Sequence, residues 1–146
     1  MNMEKKLELN LALKKQEIDL RSILFLPTDK IERLPKAIGS GADKVIFDLE
    51  DGLADENKAI GRSNFADLAN RNYDGQADKL LLRINALDTE EYKHDIKMLR
   101  SLPSLPYSIA IPKIESADAC RTFLKDLGTN ISVSYTHLTL PTIYSV

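Results

Sequence analysis

Three carboxylates follow a short apolar segment in the first half of the chain. Residues 45–52 read VIFDLEDG, so a run that favours a β-strand leads directly into Asp48, Glu50 and Asp51. A buried strand that carries carboxylates at its C-terminal end can hold a metal ion or a charged substrate. Acidic residues and glycine are also common in ordinary turns, so a turn without a function is the alternative interpretation.

Arg83 lies within a second apolar segment, residues 80–84, where a charged side chain is unusual. Because an unpaired buried guanidinium is costly, Arg83 is expected to meet a carboxylate. That carboxylate belongs either to a substrate, bound by both arms of the planar fork, or to a structural ion pair with the acidic residues near Glu50 and Asp51. Asn85 follows, and either orients a substrate or holds a turn.

Glu115 comes shortly after a third apolar segment, residues 107–111. A carboxylate there can ligate a hard divalent cation, and Mg²⁺ takes one or two carboxylates together with water and substrate oxygens. The alternative is a glutamate in the first turn of the last helix, where the helix dipole favours it. His94 lacks a second histidine at ligand spacing. Cys120 lies on an apolar helical face without a basic partner, so neither is assigned a catalytic role.

The composition is that of one soluble globular domain, with 146 residues, 43% hydrophobic and 29% charged. A net charge of −2 supplies no basic surface for nucleic acid. No apolar run approaches the roughly 20 residues of a membrane span, and the first residues lack the apolar core of an export signal. The single cysteine excludes an internal disulfide, and together these features predict a cytoplasmic protein.

Strand-like segments alternate with helical patterns along residues 21–132. The predicted strands are 23–26, 45–47, 80–84 and 107–111, and helices are expected to begin at Thr28 or Asp29, at Asp55 or Asn57, at Asp88 and at Ser116. This alternation predicts an α/β fold with parallel strands and right-handed crossovers. Residues 1–20 are expected to form a poorly determined arm outside this repeat.

Two architectures share this alternation, an open doubly wound sheet and a (β/α)8 barrel. In both, chemistry takes place at the C-terminal ends of the strands. Neither a G-x-G-x-x-G motif after the first strand nor a P-loop is present, which disfavours nucleotide binding.

Several finer features are also expected from the pattern. The first strand should be fully buried, and Pro35 should divide the helix that follows it. The second helix should bury Ile60, Phe65 and Leu68, while Gly61 should weaken it by about 1 kcal/mol relative to alanine.

Four segments match, in order and spacing, motifs of the HpcH/HpaI aldolase and citrate lyase superfamily. They are RSILFLP at 21–27, GAD at 41–43 leading into DLED at 48–51, LRINALD at 82–88, and PKIES at 112–116. The chain resembles this superfamily over about residues 21–131. Within it, the chain is most similar to the branch that contains the citrate lyase beta subunit, malyl-CoA lyase and citramalyl-CoA lyase.

The resemblance implies a (β/α)8 TIM barrel, of which residues 21–132 would form about the first four β/α units. It further implies Mg²⁺ dependence and an aldolase-type cleavage or formation of a carbon–carbon bond next to a carbonyl. The expected substrates are a keto acid and a 3-hydroxy-carboxylic acyl thioester such as a citryl, malyl or citramalyl group, on CoA or on a carrier protein. A longer parent protein would be a trimer or hexamer.

The resemblance also implies roles for individual residues. The arginine that matches Arg83 binds the keto-acid carboxylate, the glutamate that matches Glu115 ligates the metal, and the pair that matches Glu50 and Asp51 lies by the metal site, often through water. The arginine that matches Arg21 lies near the thioester or its phosphate-bearing carrier. The predicted site therefore has catalytic Arg83, Glu50 and Asp51, substrate-binding Arg21, Arg83 and Asn85, and the metal ligand Glu115.

Three departures from the family pattern favour a competing hypothesis. The second metal-ligating aspartate lies on a later strand in the family and has no counterpart here, and family members are roughly twice as long. Thr28 also replaces a glycine of the family. Separately, residues 133–146 resemble a translated library-adapter sequence, so they are expected to be a non-native tail; a genuine β-prone tail is the alternative. Without the second metal-ligating aspartate, the chain would be a catalytically inactive fragment, or a small binding or regulatory module of the same ancestry. A weaker alternative is an open-sheet α/β protein with a phosphoryl site.

Overall fold

Four parallel strands form one sheet, and their order in the sheet is their order along the chain. The computed structural model describes residues 20–128, so the predictions for the N-terminal arm and for residues 133–146 fall almost entirely outside the described part. The strands are β1 Ile23–Pro27, β2 Lys44–Asp48, β3 Leu80–Arg83 and β4 Ser108–Ala110. All four predicted strands are present, and β4 is shorter than expected.

A helix follows each strand. The helices are α1 Leu34–Gly39, α2 Lys58–Asn70, α3 Glu90–Ser101 and α4 Ala117–Leu127, with 3-10 turns at Thr28–Arg33, Asp55–Asn57, Asn72–Gly75 and Ala77–Lys79. Pro35 lies in the first turn of α1 and separates it from the preceding 3-10 turn, as predicted. Within residues 20–128, no helix is long and apolar enough to cross a bilayer.

Two of the predicted helix caps are wrong and one is confirmed. Thr89, rather than Asp88, caps α3, because its hydroxyl accepts a hydrogen bond from the amide of Tyr92. Thr28 caps nothing; its hydroxyl donates instead to the carbonyl of Asp48 in the neighbouring strand. Ser116 caps α4 as predicted, accepting from the amide of Ala119.

The strand order in the described sheet is sequential. Every connection from β1 to β4 advances the sheet by one position in the same direction. A doubly wound sheet reverses this order at its switch point, and the four described strands contain no such reversal. They therefore have the order that a singly wound parallel sheet requires.

The main core lies between the sheet and its helices. Val45, Phe47 and Leu82 are completely or almost completely buried there, and the rings of Phe47 and Phe65 meet edge to face at 5.4 Å. Phe65 and Leu68 of α2 contribute to this core as predicted. The expectation for Ile60 is wrong, because Ile60 is 55% exposed and lies off the buried stripe of its helix.

The opposite face of the sheet carries the charged residues. Side chains alternate between the faces of a strand, so Asp48 shares a face with Ile46, and Arg83 shares it with Leu81. Ile46 and Leu81 are buried but do not belong to the core on the helical side. This second face therefore carries the apolar side chains of Ile46 and Leu81, followed by the charged side chains of Asp48 and Arg83 at the C-terminal ends of β2 and β3.

Strand β1 leaves one edge of this sheet open. Ile23, Leu24 and Phe25 are 41%, 39% and 53% exposed, so the prediction of a fully buried strand is correct only for Leu26. Among the described residues β1 pairs with β2 alone. The apolar pattern correctly predicted the strand, but residues 20–128 do not bury its first three side chains.

Gly61→Ala is expected to destabilise the protein, against what helix propensity suggests. A Cβ at position 61 would lie 2.3 Å from Oγ1 of Thr28 and 2.7 Å from Cδ2 of Leu53. Thr28 is completely buried and held by its bond to Asp48, so it cannot move aside cheaply. Overpacking costs about 1–3 kcal/mol and helix propensity returns about 1 kcal/mol, so we expect a net loss of up to about 2 kcal/mol in urea denaturation.

The control for this variant is Gly39→Ala, because a Cβ at Gly39 meets nothing within 4 Å. An equal or greater stability for Gly61→Ala than for the unaltered protein would show that α2 is not in close contact with Thr28.

Candidate active site

Asp48 and Arg83 form a two-pronged ion pair at the C-terminal ends of β2 and β3. Nε of Arg83 donates to Oδ1 of Asp48 at 2.8 Å, and Nη2 donates to Oδ2 at 2.6 Å. The two residues are direct partners in the strand register, which places their side chains side by side on one face. The structure thus realises the structural ion pair that the sequence left open, but with Asp48 as the first partner.

Asp48 is held by its own loop as well. The amides of Glu50 and Gly52 donate to its two carboxylate oxygens at 2.9 and 2.8 Å. Burial by itself raises the pKa of Asp48, but the hydrogen bonds from Arg83 and from these amides outweigh it, so the pKa lies below its ordinary value. Asp48 is therefore an ionised anchor whose oxygens are fully occupied by the protein.

Glu50 binds the third nitrogen of the same guanidinium. Its Oε2 lies 3.1 Å from Nη1 of Arg83, and its Oε1 lies 3.6 Å from Nζ of Lys113. Lys113 follows β4 and has a φ of 55°, a conformation that few residues other than glycine adopt. The ring of Phe25 lies 4.9 Å from Cζ of Arg83. The loops after β2 and β4 and strand β1 thus all reach Arg83 or its carboxylate partner.

Arg83 keeps donors for a ligand despite these contacts. Within residues 20–128, each of its three nitrogens makes one interaction with Asp48 or Glu50, which leaves a second N–H on both terminal nitrogens. Hydrogen bonding to Asp48 raises the pKa of Arg83, so its positive charge is permanent. The arrangement is a fixed cation at the carboxyl edge of a parallel sheet, suited to a planar carboxylate.

Asn85 belongs to a buried polar network that the sequence did not reveal. Its Oδ1 accepts from Nζ of Lys58, and its Nδ2 and backbone amide donate to Oδ2 of Asp95 at 2.8 and 2.7 Å. Arg62 donates to Oδ1 of Asp95 at 3.1 Å and to Glu91 at 2.7 Å. Burial raises the pKa of Asp95 more than these bonds lower it. Of the two interpretations of Asn85, the geometry favours the one in which it holds a turn.

Arg21 is not brought to this edge of the sheet. It precedes β1, and its amide and side chain bond to Asp43, which precedes β2. Both residues therefore lie at the amino ends of the parallel strands, opposite Asp48 and Arg83. The predicted role of Arg21 at a thioester stays a prediction.

Glu115 and Asp51 are exposed carboxylates in the loops after β4 and β2. Glu115 precedes the cap residue Ser116, so it is not in the first turn of the last helix and the alternative interpretation of it is wrong. Within residues 20–128, no three His, Cys, Asp or Glu side chains are grouped to hold a metal ion. The donor chemistry nevertheless fits Mg²⁺, which uses one or two carboxylates and leaves other positions to water and substrate.

Comparisons with known proteins identify the family of the chain. A model of the HpcH/HpaI aldolase/citrate lyase family matches residues 21–128. A citrate lyase subunit beta-like protein of Mycobacterium tuberculosis is 38% identical over 95 residues, which are 64% of this chain and 32% of that protein. A (3S)-malyl-CoA thioesterase of Cereibacter sphaeroides is 35% identical over 97 residues, 66% of this chain and 33% of that protein. The chain thus spans about a third of the length of these curated relatives.

Solved structures give the same result. The citrate lyase beta subunit of M. tuberculosis, complexed with oxaloacetate and magnesium, matches with a TM-score of 0.59 and 33% identity, over 69% of this chain and 42% of that chain. Protein CitE of the same organism, in complex with magnesium, acetoacetate and coenzyme A, matches with a TM-score of 0.57 and 34% identity, over 66% of this chain and 33% of that chain.

Proposed function

The chain belongs to the HpcH/HpaI aldolase/citrate lyase family, and we propose that it is the N-terminal portion of a magnesium-dependent carbon–carbon lyase. The substrate class is a 3-hydroxy-carboxylic acyl thioester such as citryl-, malyl- or citramalyl-CoA, with a keto acid as one product. The observation that carries this proposal is Arg83, a fixed cation with N–H groups left over, at the carboxyl ends of parallel strands.

The fold of the whole protein is proposed to be a (β/α)8 barrel that begins with β1 to β4. The sequential strand order supports this, and so does the exposed apolar strand β1, which in a closed barrel would gain a second neighbour. The charged face of the sheet, with its floor of Ile46 and Leu81, would then point into the barrel.

In the proposed reaction, Arg83 binds the carboxylate of the keto acid through its remaining N–H groups. Asp48 and Glu50 hold the guanidinium plane, so the positive charge is already oriented when negative charge develops on the reacting carbonyl. Glu115 is the proposed metal ligand, with Asp51 beside the site through water. Bound Mg²⁺ would supply a Lewis acid that polarises the keto oxygen.

A catalytically inactive protein of the same ancestry is the competing proposal. It is favoured by one observation, the lack of a three-ligand group within residues 20–128. Sequencing the gene across the codons for residues 125–146 tests it. A frame that continues into further β/α units with an aspartate at the next strand end supports the lyase, and a frame that ends at Val146 refutes it.

The activity test uses the protein expressed from the whole natural reading frame. Malyl-CoA and citramalyl-CoA are incubated with and without Mg²⁺, and the keto acid, the acyl-CoA product and free CoA are all measured. Keto acid and acyl-CoA formed in equal amounts indicate carbon–carbon cleavage. Free CoA without keto acid indicates thioester hydrolysis and overturns the lyase assignment.

Glu115→Gln is expected to weaken Mg²⁺ binding at least about tenfold, since the amide keeps the shape but loses the charge that the cation requires. Calorimetric titration of the same protein with Mg²⁺, in the presence of pyruvate, measures this directly. Glu90→Gln is the control, because Glu90 is an exposed glutamate paired with Lys93 on α3. Identical titrations for wild type and Glu115→Gln would remove Glu115 from the metal site.

A further inference from the structure

Lys58 is a buried lysine at the first position of α2. Lysine is rarely buried unless its ammonium is fully bonded. Here Nζ donates to the carbonyl of Leu49 at 3.1 Å and to Oδ1 of Asn85, and the carbonyl of Glu50 lies at 3.4 Å. Nζ also lies 3.7 Å from Oδ1 of the exposed Asp55, an ion pair at longer range. The three hydrogen-bond acceptors match the three N–H groups of the ammonium, so these bonds leave no donor of Lys58 for a substrate.

The acceptors of Lys58 belong to two different loops of the candidate site. Leu49 and Glu50 lie in the loop after β2, and Asn85 lies in the loop after β3. Glu50 contributes the carboxylate that meets Nη1 of Arg83, the last residue of β3. One ammonium therefore ties the loop that carries Glu50 to the residues that follow Arg83.

Asn85, which accepts a hydrogen bond from Lys58, is itself held in place by Asp95. The amide of Asn85 can satisfy both neighbours in one orientation only, with its oxygen on Lys58 and its nitrogen on Asp95. The backbone amide of Asn85 also donates to Asp95, so the loop after β3 is fixed at two atoms. Buried polar networks of this kind rigidify a structure when every member has a partner.

We propose that Lys58 is a positioning residue that sets the placement of Glu50 against Arg83, and thereby the orientation of the guanidinium that binds the keto acid. It touches neither the substrate nor the metal. This inference rests on the proposed function, because it concerns the same site. It assigns a role to a residue whose type and place, a lysine at a helix start, ordinarily indicate a solvated side chain.

Arg62 provides a matched control within the same network. It lies one turn after Lys58 on α2, and its cation is also largely buried. In the described part of the chain, its side chain bonds to Glu91 and Asp95 of α3 and not to the loops after β2 and β3. Loss of Arg62 should therefore perturb the network and the stability without releasing the loop that carries Glu50.

The test compares Lys58→Met and Arg62→Met in the protein expressed from its whole natural reading frame. Both variants should melt at lower temperature than wild type. At a temperature where all remain folded, Lys58→Met should lower kcat/KM for malyl-CoA or citramalyl-CoA cleavage at least about tenfold, with kcat itself reduced. It should also weaken pyruvate binding, measured by calorimetry, to a similar extent. Arg62→Met should stay within about twofold of wild type in both measurements.

Equal effects of the two variants on kcat and pyruvate binding would show that Lys58 acts only on stability and would overturn the proposal. If Lys58→Met does not fold, Lys58→Arg decides the question. This variant keeps the charge and should melt near wild type, but its longer, planar group should lower kcat and pyruvate affinity severalfold, and unchanged values refute the proposal. A wild-type protein that cleaves neither thioester refutes the proposed function, whereas an active wild type with an unaffected Lys58→Met refutes the positioning role alone.

Discussion

Arg83→Ala is expected to abolish most of the proposed lyase activity and to destabilise the protein by about 3–5 kcal/mol. The activity is lost because the carboxylate anchor is lost. The stability is lost because Asp48 and Glu50 are buried and would be left as uncompensated negative charges. The double pairing of Arg83 with Asp48 and Glu50 is the reason to expect a loss of stability together with the loss of activity.

Urea denaturation and steady-state kinetics of the same preparation check both parts. Arg121→Ala is the control, since Arg121 forms an exposed ion pair with Asp118 on α4 and should change stability by only about 0–1 kcal/mol. Arg83→Lys separates the two effects, because it restores a charge near Asp48 but not the planar fork. It should recover part of the stability and little of the activity. Full activity in Arg83→Ala would contradict the assignment of the site.

Gly52→Ala is expected to disturb the same ion pair without altering either charged residue. A Cβ at position 52 would lie 2.3 Å from Oδ2 of Asp48, the oxygen that accepts from both Nη2 of Arg83 and the amide of Gly52. The carboxylate must turn away, and overpacking costs about 1–3 kcal/mol. Because the guanidinium turns with it, kcat should fall at least about tenfold, consistent with loss of more than about 1.4 kcal/mol of transition-state stabilisation.

The measurements for Gly52→Ala are again denaturation and kinetics, and Gly39→Ala serves as the glycine-to-alanine control with open space around it. Normal kinetics in Gly52→Ala would mean that Asp48 can shift without moving Arg83, and that the carboxylate does not orient the guanidinium.

The order of helices and strands was predictable because local sequence patterns determine it. Apolar β-prone runs, glycine and proline boundaries and one capping serine act within a few residues of each other. The carboxyl-edge location of Arg83 and Glu50 followed from the same patterns, since parallel strands place all their C-terminal ends on one edge. Ser116 was identified for the same reason, as its bond to Ala119 spans only three residues.

Contacts between distant residues were the ones that the sequence did not reveal. The special role of Asp48 depends on its register with Arg83, 35 residues away. The burial of Lys58 depends on an asparagine 27 residues further on. Gly61 has unfavourable helix propensity, but the close approach of Thr28 leaves no room for a Cβ at this position, and this steric effect outweighs the propensity. Ile60 is an apolar residue that the pattern placed in the core, but it is 55% exposed.

The open edge of β1 also makes this polypeptide a candidate for fragment complementation. Within residues 20–128, Ile23, Leu24 and Phe25 present exposed apolar surface on a strand that is paired on one side only. A separately produced segment that supplies a β/α unit in parallel orientation would satisfy both the backbone and the side chains of that strand. Since the ring of Phe25 also lies against Arg83, such a reassociation would be felt directly at the guanidinium. Activity recovered on mixing two halves would therefore report on the closure of the sheet itself.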